Sequence, residues 1–158
     1  MTQLVLYVDA DANPVKTIIA EEAEKHQVQA IFVCSFANHF GPPSPASQLV
    51  TVDKSYQSVD MYIVNKVKRG DLVVTDDYGL ASLVLARGCL AISSRGKEYT
   101  NHNIDQLLMS RHLSYKERIS GNRPKGPKRL AVEDELFFRK NLQKCLQSMA
   151  GDFASFDE

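Results

Sequence analysis

The chain has 158 residues, and its 19 basic and 19 acidic side chains give a formal net charge of zero. A chain of this length fits one domain with an ordinary hydrophobic core, and its balanced charge attracts no particular class of partner. No apolar run approaches the roughly 20 residues of a membrane span, and the first residues lack the basic flank of a signal peptide. The sequence therefore predicts no membrane association.

The three cysteines, Cys34, Cys89 and Cys145, are odd in number, lie far apart and occur within apolar runs. This pattern is typical of reduced, buried thiols rather than of a disulfide framework. We therefore expect a cytoplasmic protein.

The chain opens with a predicted strand followed at once by a helix. The apolar run from Leu4 to Val8 has no polar alternation, which favours a buried parallel strand, and Asp9 ends it. Asn13 is the expected N-cap of the helix, with Pro14 at the first helical position and an end near His26.

The later elements continue this alternation of strand and helix. In chain order they are a strand at Ala30 to Phe36, a loop at Asn38 to Ala46, a strand at Leu49 to Val52, a helix at Val59 to Val67, a strand at Leu72 to Thr75, a helix at Tyr78 to Arg87, a strand at Cys89 to Ile92, a helix at Ile104 to Leu113, a loop at Ser120 to Arg129 and a helix from Val132. The alternation predicts a three-layer α/β fold whose mostly parallel sheet carries helices on both faces, plus a C-terminal helix. We expect one domain over residues 1–150 and a frayed tail over residues 151–158.

Aspartates gather where the predicted strands end. Asp9 and Asp11 follow the first strand, Asp76 and Asp77 follow the fourth, and Asp60 begins a helix that opens on the same edge. The carboxyl ends of parallel strands are where open sheets bind ligands, and like charges about 4 Å apart repel by roughly 1–4 kcal/mol. Oxygen ligands of this kind suit Mg²⁺ or Mn²⁺, so the pattern predicts a metal site.

Aspartate also favours turns and helix caps, so each of these residues has a purely structural interpretation. Asp71 precedes its strand at the opposite edge and is expected to be a plain turn residue. Asp53 is expected to be a solvated surface residue.

Three stretches match the pattern of a known family: Asp9 to Lys16, Val59-Asp60, and Gly70 to Asp77. They resemble the YaiI/YqxD family of bacterial proteins over about residues 3 to 146. The resemblance implies a PIN-like fold, related to that of metal-dependent nucleases. Asn13 stands where the family usually has cysteine, which argues against obligatory thiol chemistry.

In PIN-like nucleases, three acidic residues hold the metal, and these roles fall here on Asp9, Asp60 and Asp77. Asp11 adds a fourth carboxylate, and Asp76 is a lesser candidate ligand because it occupies the variable position of the Thr75 to Asp77 turn. The resemblance implies hydrolysis of phosphodiester bonds that depends on Mg²⁺ or Mn²⁺, with RNA favoured over DNA as the substrate.

Other residues are candidates for phosphate or substrate contacts. Thr75 adjoins the acidic pair, Asn38 and His39 follow the second strand, and Arg95 and Lys128 lie in basic loops. The stretch from residue 111 to residue 129 is rich in lysine and arginine, which could neutralise backbone phosphates or form a solvated face.

Two alternatives remain open from the sequence. Asp9-Ala10-Asp11 matches the start of the signature of haloacid-dehalogenase-like phosphatases, although Asn13 and Pro14 depart from it. The aspartates could also hold an ion without turnover, in a metal- or nucleic-acid-binding module. The sequence does not determine the oligomeric state.

Overall fold

Six strands form one sheet in the computed structural model, which describes residues 3–11, 13–36, 41, 43–110 and 131–156. The strands are β1 (Val5–Asp9), β2 (Gln29–Ser35), β3 (Gln48–Val52), β4 (Leu72–Val74), β5 (Leu90–Ile92) and β6 (Glu98–Tyr99). Their order across the sheet is β3-β2-β1-β4-β5-β6, and only β6 runs antiparallel to its neighbour. The five parallel strands therefore end at one edge of the sheet.

Helices cover both faces of this sheet. They are α1 (Lys16–Lys25), α2 (Val59–Lys66), α3 (Tyr78–Ala86), α4 (residues 104–110) and α5 (Val132–Phe156). Side chains of α1 and α5 pack with Leu6 and Val8 on one face, and side chains of the other three helices pack with Tyr7 on the other. Because successive strand residues point to opposite faces, β1 contributes to both cores.

This architecture confirms the predicted α/β fold class, with a mostly parallel sheet, helices on both faces and a C-terminal helix. The predicted loop at residues 120–129 lies outside the described residues. No helix among the described residues is both long enough and apolar enough to cross a membrane.

The structure differs from the predicted elements by more than one residue in three places. The first helix begins at Lys16 rather than at Pro14, because the Asn13 side chain accepts a hydrogen bond from Val15 N at 2.8 Å and closes a turn before the helix. The last helix continues to Phe156, whereas the sequence predicts a frayed tail from Gly151. The two-residue strand β6 has no counterpart in the predictions.

A buried ion pair joins α1 to α5 across one face of the sheet. The Glu22 side chain is fully buried and accepts hydrogen bonds from Arg139 Nη1 at 2.6 Å and from Gln143 Nε2 at 3.2 Å. Burial alone would raise the pKa of Glu22, but the hydrogen bonds from Arg139 and Gln143, together with the charges of Lys25 and Arg139, outweigh it and lower the pKa. The C-terminal helix is therefore tied to the fold by charge as well as by apolar packing.

Replacing Arg139 by leucine should destabilise the protein by about 2–4 kcal/mol at pH 7, because the buried Glu22 carboxylate would lose the cation that hydrogen-bonds to it and keep exposed Lys25, at 3.7 Å, as its nearest cation. Urea denaturation measures this change in the free energy of unfolding. Lys140→Leu, at the neighbouring exposed position, is the matched control, and adding Glu22→Gln to Arg139→Leu should recover part of the loss. Equal destabilisation by Arg139→Leu and Lys140→Leu would contradict the pair's role.

Candidate active site

The site begins where β1 meets β4. These strands pair in parallel with Val8 beside Val74, so the next residues, Asp9 and Thr75, lie side by side at the carboxyl edge. The Thr75 hydroxyl donates a hydrogen bond to Asp9 Oδ2 at 2.9 Å and accepts one from Asp77 N at 3.0 Å. Thr75 therefore links the Asp9 carboxylate to the backbone of the second acidic segment.

The Asp77 carboxylate is held by the start of α3. It is the N-cap residue, and its Oδ1 atom accepts hydrogen bonds from Gly79 N at 2.8 Å and Leu80 N at 3.4 Å. A negative side chain at this place is favoured by the helix dipole and by the otherwise unpaired amides. This cap fixes Asp77 beside the end of β4.

Asp11, which follows β1, and Asp60, on α2, lie at the same edge. Asp11 Oδ1 accepts hydrogen bonds from Ser35 N at 3.0 Å and Ser35 Oγ at 3.3 Å, at the end of β2. Asp60 lies in the first turn of α2, whose N-cap Ser58 accepts a hydrogen bond from Met61 N at 3.3 Å. The starts of α2 and α3 and the ends of β1, β2 and β4 thus converge on one edge.

An open pocket of about 270 Å³ lies between these elements, and we call it the acidic pocket. It is lined by Asp9, Asp11, Lys54, Ser58, Val59, Asp60 and Asp77. Its four aspartates are half-buried, and its one cation, Lys54, is exposed. The structure therefore brings together the four carboxylates that the sequence predicts as catalytic.

The environment of Asp9 makes its ionised form unfavourable. Burial is the main cause that raises the pKa of Asp9 to about 6; the hydrogen bond from Thr75 lowers this pKa, and the nearby carboxylates of Asp11, Asp77 and Asp60 raise it. A bound cation would remove this penalty, because it would offset both the lost hydration and the repulsion.

The carboxylates do not form a ready-made metal site. Across the described ranges, no group of three or more histidine, cysteine, aspartate or glutamate side chains is arranged to hold a metal ion. The carboxylate oxygens suit a hard divalent cation, but the acidic side chains would have to move closer together to coordinate it.

Asp76 does not line the acidic pocket, so its position does not support its predicted role as a further ligand. Its Oδ1 atom accepts a hydrogen bond from Ser94 N at 2.8 Å, and its Oδ2 atom accepts one from Ser94 Oγ at 2.6 Å. It lines a second pocket together with Arg95, a candidate phosphate contact. Asp76 and Asp77 thus face different pockets.

Three candidate contacts, Asn38, His39 and Lys128, lie outside the described residues. Asp71 ends a turn as predicted, since its N–H donates a hydrogen bond to Lys68 O at 3.0 Å, but it is fully buried. It accepts hydrogen bonds from Val5 N and Lys68 N, both at 2.9 Å, at the opposite edge of the sheet. Asp53 is exposed and accepts a hydrogen bond from Ser55 N at 2.9 Å.

Sequence reasoning missed Lys54 and Ser58 as pocket residues. Both follow β3, which ends at Val52, so they could have been found by applying the strand-end argument to this strand too. Ser58 was also recognisable as a helix cap, because Asp60 and the apolar helical pattern follow it.

Comparisons with known proteins place the chain in a family. Residues 7–148 match the family model described as "Uncharacterized BCR, YaiI/YqxD family". The chain belongs to the YaiI/YqxD family. A UPF0178 protein of Oceanobacillus iheyensis is 47% identical over 136 residues, which cover 85% of this chain and 93% of the relative. A UPF0178 protein of Bacillus cereus is 46% identical over 135 residues, covering 85% and 92%.

Among solved structures, Rae1 (YacP) from Bacillus subtilis is similar with a TM-score of 0.44 and 13% sequence identity, covering 95% of this chain and 97% of that chain. A likeness this distant carries no argument about the activity of this YaiI/YqxD protein.

The metal-free YaiI/YqxD protein should lose stability as the pH rises through about 6. The folded state holds the Asp9 proton up to that pH, whereas the unfolded chain releases it near pH 3.8, so protonation stabilises the fold by about 1–3 kcal/mol only at low pH. Asp9→Asn should remove this part of the pH dependence and be more stable than the native protein at pH 8. Thermal melts from pH 4 to pH 8 measure the effect.

The matched control for this experiment is Asp105→Asn, since Asp105 is exposed and does not line the acidic pocket. It should melt like the native protein at every pH. An unchanged pH dependence in Asp9→Asn would show that burial and neighbouring charge do not act on Asp9 as described.

Replacing Thr75 by valine should raise the pKa of Asp9 above about 6, because the hydroxyl hydrogen bond that favours the carboxylate is lost. Carboxyl-detected NMR titration of the metal-free protein measures this pKa. Thr51→Val is the matched control, because Thr51 contacts Cys34 on the other face of the sheet. If the pKa of Asp9 falls or stays constant in Thr75→Val, the hydrogen bond from Thr75 does not stabilise the Asp9 carboxylate.

Proposed function

We propose that the acidic pocket binds Mg²⁺ or Mn²⁺ and that the protein is a metal-dependent nuclease that hydrolyses phosphodiester bonds, with RNA as its preferred substrate. The observation that carries the proposal is the convergence of four carboxylates on one pocket at the carboxyl edge of the sheet. The PIN-like fold implied by the family resemblance supports the same reaction class.

The donor set supports a hard divalent cation. The lining of the acidic pocket offers carboxylate, hydroxyl and ammonium groups, and among the residues that the structure describes neither cysteine nor histidine contributes to it. Oxygen-only sites of this kind suit magnesium and manganese, whereas zinc is usually bound through nitrogen and sulfur. The raised pKa of Asp9 supports the same conclusion, since a cation would stabilise the carboxylate that burial disfavours.

A bound divalent ion would polarise the scissile phosphodiester and lower the pKa of a water molecule. The residues of the chain would position these groups. Asp9, Asp60 and Asp77 would be the ligands, with Asp11 as a fourth carboxylate on the β2 side. Thr75 would keep Asp9 oriented through its hydrogen bond, and exposed Lys54 could approach a phosphate oxygen at the rim.

The cysteines take no part in this chemistry. All three are free and buried, and burial raises the pKa of Cys89 to about 11 and that of Cys145 to about 12. Thiols with such pKa values stay protonated at neutral pH and are poor nucleophiles and metal ligands. Their reduced state supports the further proposal of a cytoplasmic location.

Calorimetric titration with Mn²⁺ and Mg²⁺, paired with cleavage of end-labelled single-stranded RNA, tests the proposal. The native protein should bind the ion and cut RNA only in its presence. Asp9→Asn and Asp60→Asn should each weaken metal binding about tenfold or more and abolish cleavage, because each removes a charged ligand. Asp105→Asn should behave like the native protein.

Other outcomes separate the alternatives. Metal binding that the variants lose, without cleavage of RNA or DNA, would point to a binding module. Release of phosphate from a small monoester without cutting of RNA would point to the phosphatase alternative. No binding of either ion at millimolar concentration would overturn the metal site and leave the aspartates as turn and cap residues.

A further inference from the structure

A second pocket of about 340 Å³ adjoins the acidic pocket, and we call it the tyrosine pocket. It is lined by Asp76, Tyr78, Ser93, Arg95, Lys97 and Tyr99. Asp76 faces this pocket while its sequence neighbour Asp77 faces the acidic pocket, so the two pockets lie side by side at the same sheet edge. A volume of this size is at the lower end of the range typical of small-ligand sites.

The aromatic wall of the tyrosine pocket is rigidly held. Tyr99 is buried, and its hydroxyl donates a hydrogen bond to Thr75 O at 3.1 Å. Tyr78 packs edge-on against it, with ring centroids 5.9 Å apart and planes at 70°. Because Tyr78 is only half-buried, part of its ring remains accessible to a flat ligand.

The basic wall is a tight loop between β5 and β6. Ser93 N donates to Lys97 O at 2.8 Å, and Ser93 Oγ accepts hydrogen bonds from Arg95 N at 3.3 Å and Lys97 N at 3.0 Å. Gly96 makes the turn possible with φ of +90°, and its carbonyl accepts a hydrogen bond from Asn141 on α5 at 2.9 Å. The loop therefore presents two exposed cations from a fixed backbone.

The two pockets have opposite charge. The tyrosine pocket has two cations and one carboxylate, and both oxygens of that carboxylate already accept hydrogen bonds from Ser94. The acidic pocket has four carboxylates and one lysine. An anion is therefore attracted to the first and repelled by the second unless a cation is present.

We propose that the tyrosine pocket binds one nucleotide of a single-stranded nucleic acid, with the base against Tyr78 and the phosphate between Arg95 and Lys97. Aromatic rings bind unstacked bases whatever their sequence, and lysine and arginine neutralise the phosphate. The assignment of this nucleotide to a strand that is cut in the adjacent acidic pocket rests on the proposed nuclease function. Binding of the nucleotide itself does not.

Titration of the metal-free protein with adenosine 5′-monophosphate, ribose 5-phosphate and inorganic phosphate tests the inference. Without metal the acidic pocket repels phosphate, so binding reports on the tyrosine pocket. We expect the nucleotide to bind about tenfold more tightly than ribose 5-phosphate, because only the nucleotide carries a base that can stack on Tyr78. Calorimetry or NMR titration gives the three dissociation constants.

Variants identify the residues responsible. Tyr78→Leu should reduce nucleotide affinity to that of ribose 5-phosphate without changing the latter, whereas Arg95→Gln and Lys97→Gln should weaken both ligands several-fold. Arg87→Gln is the matched control, since Arg87 is also exposed but lies after α3 at the opposite edge of the sheet. Because Lys97 is exposed, Lys97→Gln should fold, and it tests the pocket even if Tyr78→Leu fails to fold.

The inference is overturned if the nucleotide binds no more tightly than inorganic phosphate, or if Arg95→Gln and Lys97→Gln bind it as well as Arg87→Gln does. Its failure is distinguishable from failure of the nuclease proposal. Nucleotide binding without metal-dependent cleavage would overturn the nuclease alone. Metal-dependent cleavage by a protein that does not bind the nucleotide would overturn the tyrosine pocket alone.

Discussion

The parallel pairing of β1 with both β2 and β4 is the constraint on which the site depends. β1 is flanked by these two strands, and all three end at the same edge. The β4 register places Thr75 beside Asp9, and the end of β2 brings Ser35 within hydrogen-bonding distance of Asp11. A slip of β1 by one residue would turn Asp9 toward the face of α1 and α5 and bury it in an apolar core. Packing of the sheet therefore also specifies the chemistry of its edge.

The acidic pocket shows how the fold tolerates charges that repel one another. One oxygen of each of Asp9, Asp11 and Asp77 accepts a hydrogen bond from the surrounding fold. These bonds fix the direction of the carboxylates but do not remove their repulsion, which adds to the larger effect of burial in raising the pKa of Asp9. Unfavourable interactions of this kind are expected at functional sites, whereas the residues of an ordinary core favour stability.

The parts of the structure that follow from local pattern were predictable from the sequence. Apolar runs identified the five parallel strands, and the carboxyl-edge rule then grouped Asp9, Asp11, Asp60, Asp76 and Asp77, of which all but Asp76 line the acidic pocket. The predictions that failed concern side-chain contacts, whose geometry the residue type does not determine. Asn13 bonds the amide two residues on and closes a turn instead of capping the helix, and adjacent Asp76 turns to Ser94. The ion pair of Glu22 could not be predicted either, because its partner Arg139 lies 117 residues away and no pattern in the nearby sequence indicates it.

Close contact between Gly96 and α5 has a consequence for the order of assembly. A Cβ atom at Gly96 would lie 3.0 Å from Phe138 Cα and 2.8 Å from the Phe137 ring, so the loop rests directly on the helix backbone. Since a ribosome makes the chain from its N-terminus, the strand ends that carry the acidic residues emerge well before α5 does. The basic loop acquires its support only when the final helix has emerged and docked. The two halves of this sheet edge are therefore completed at different stages of synthesis.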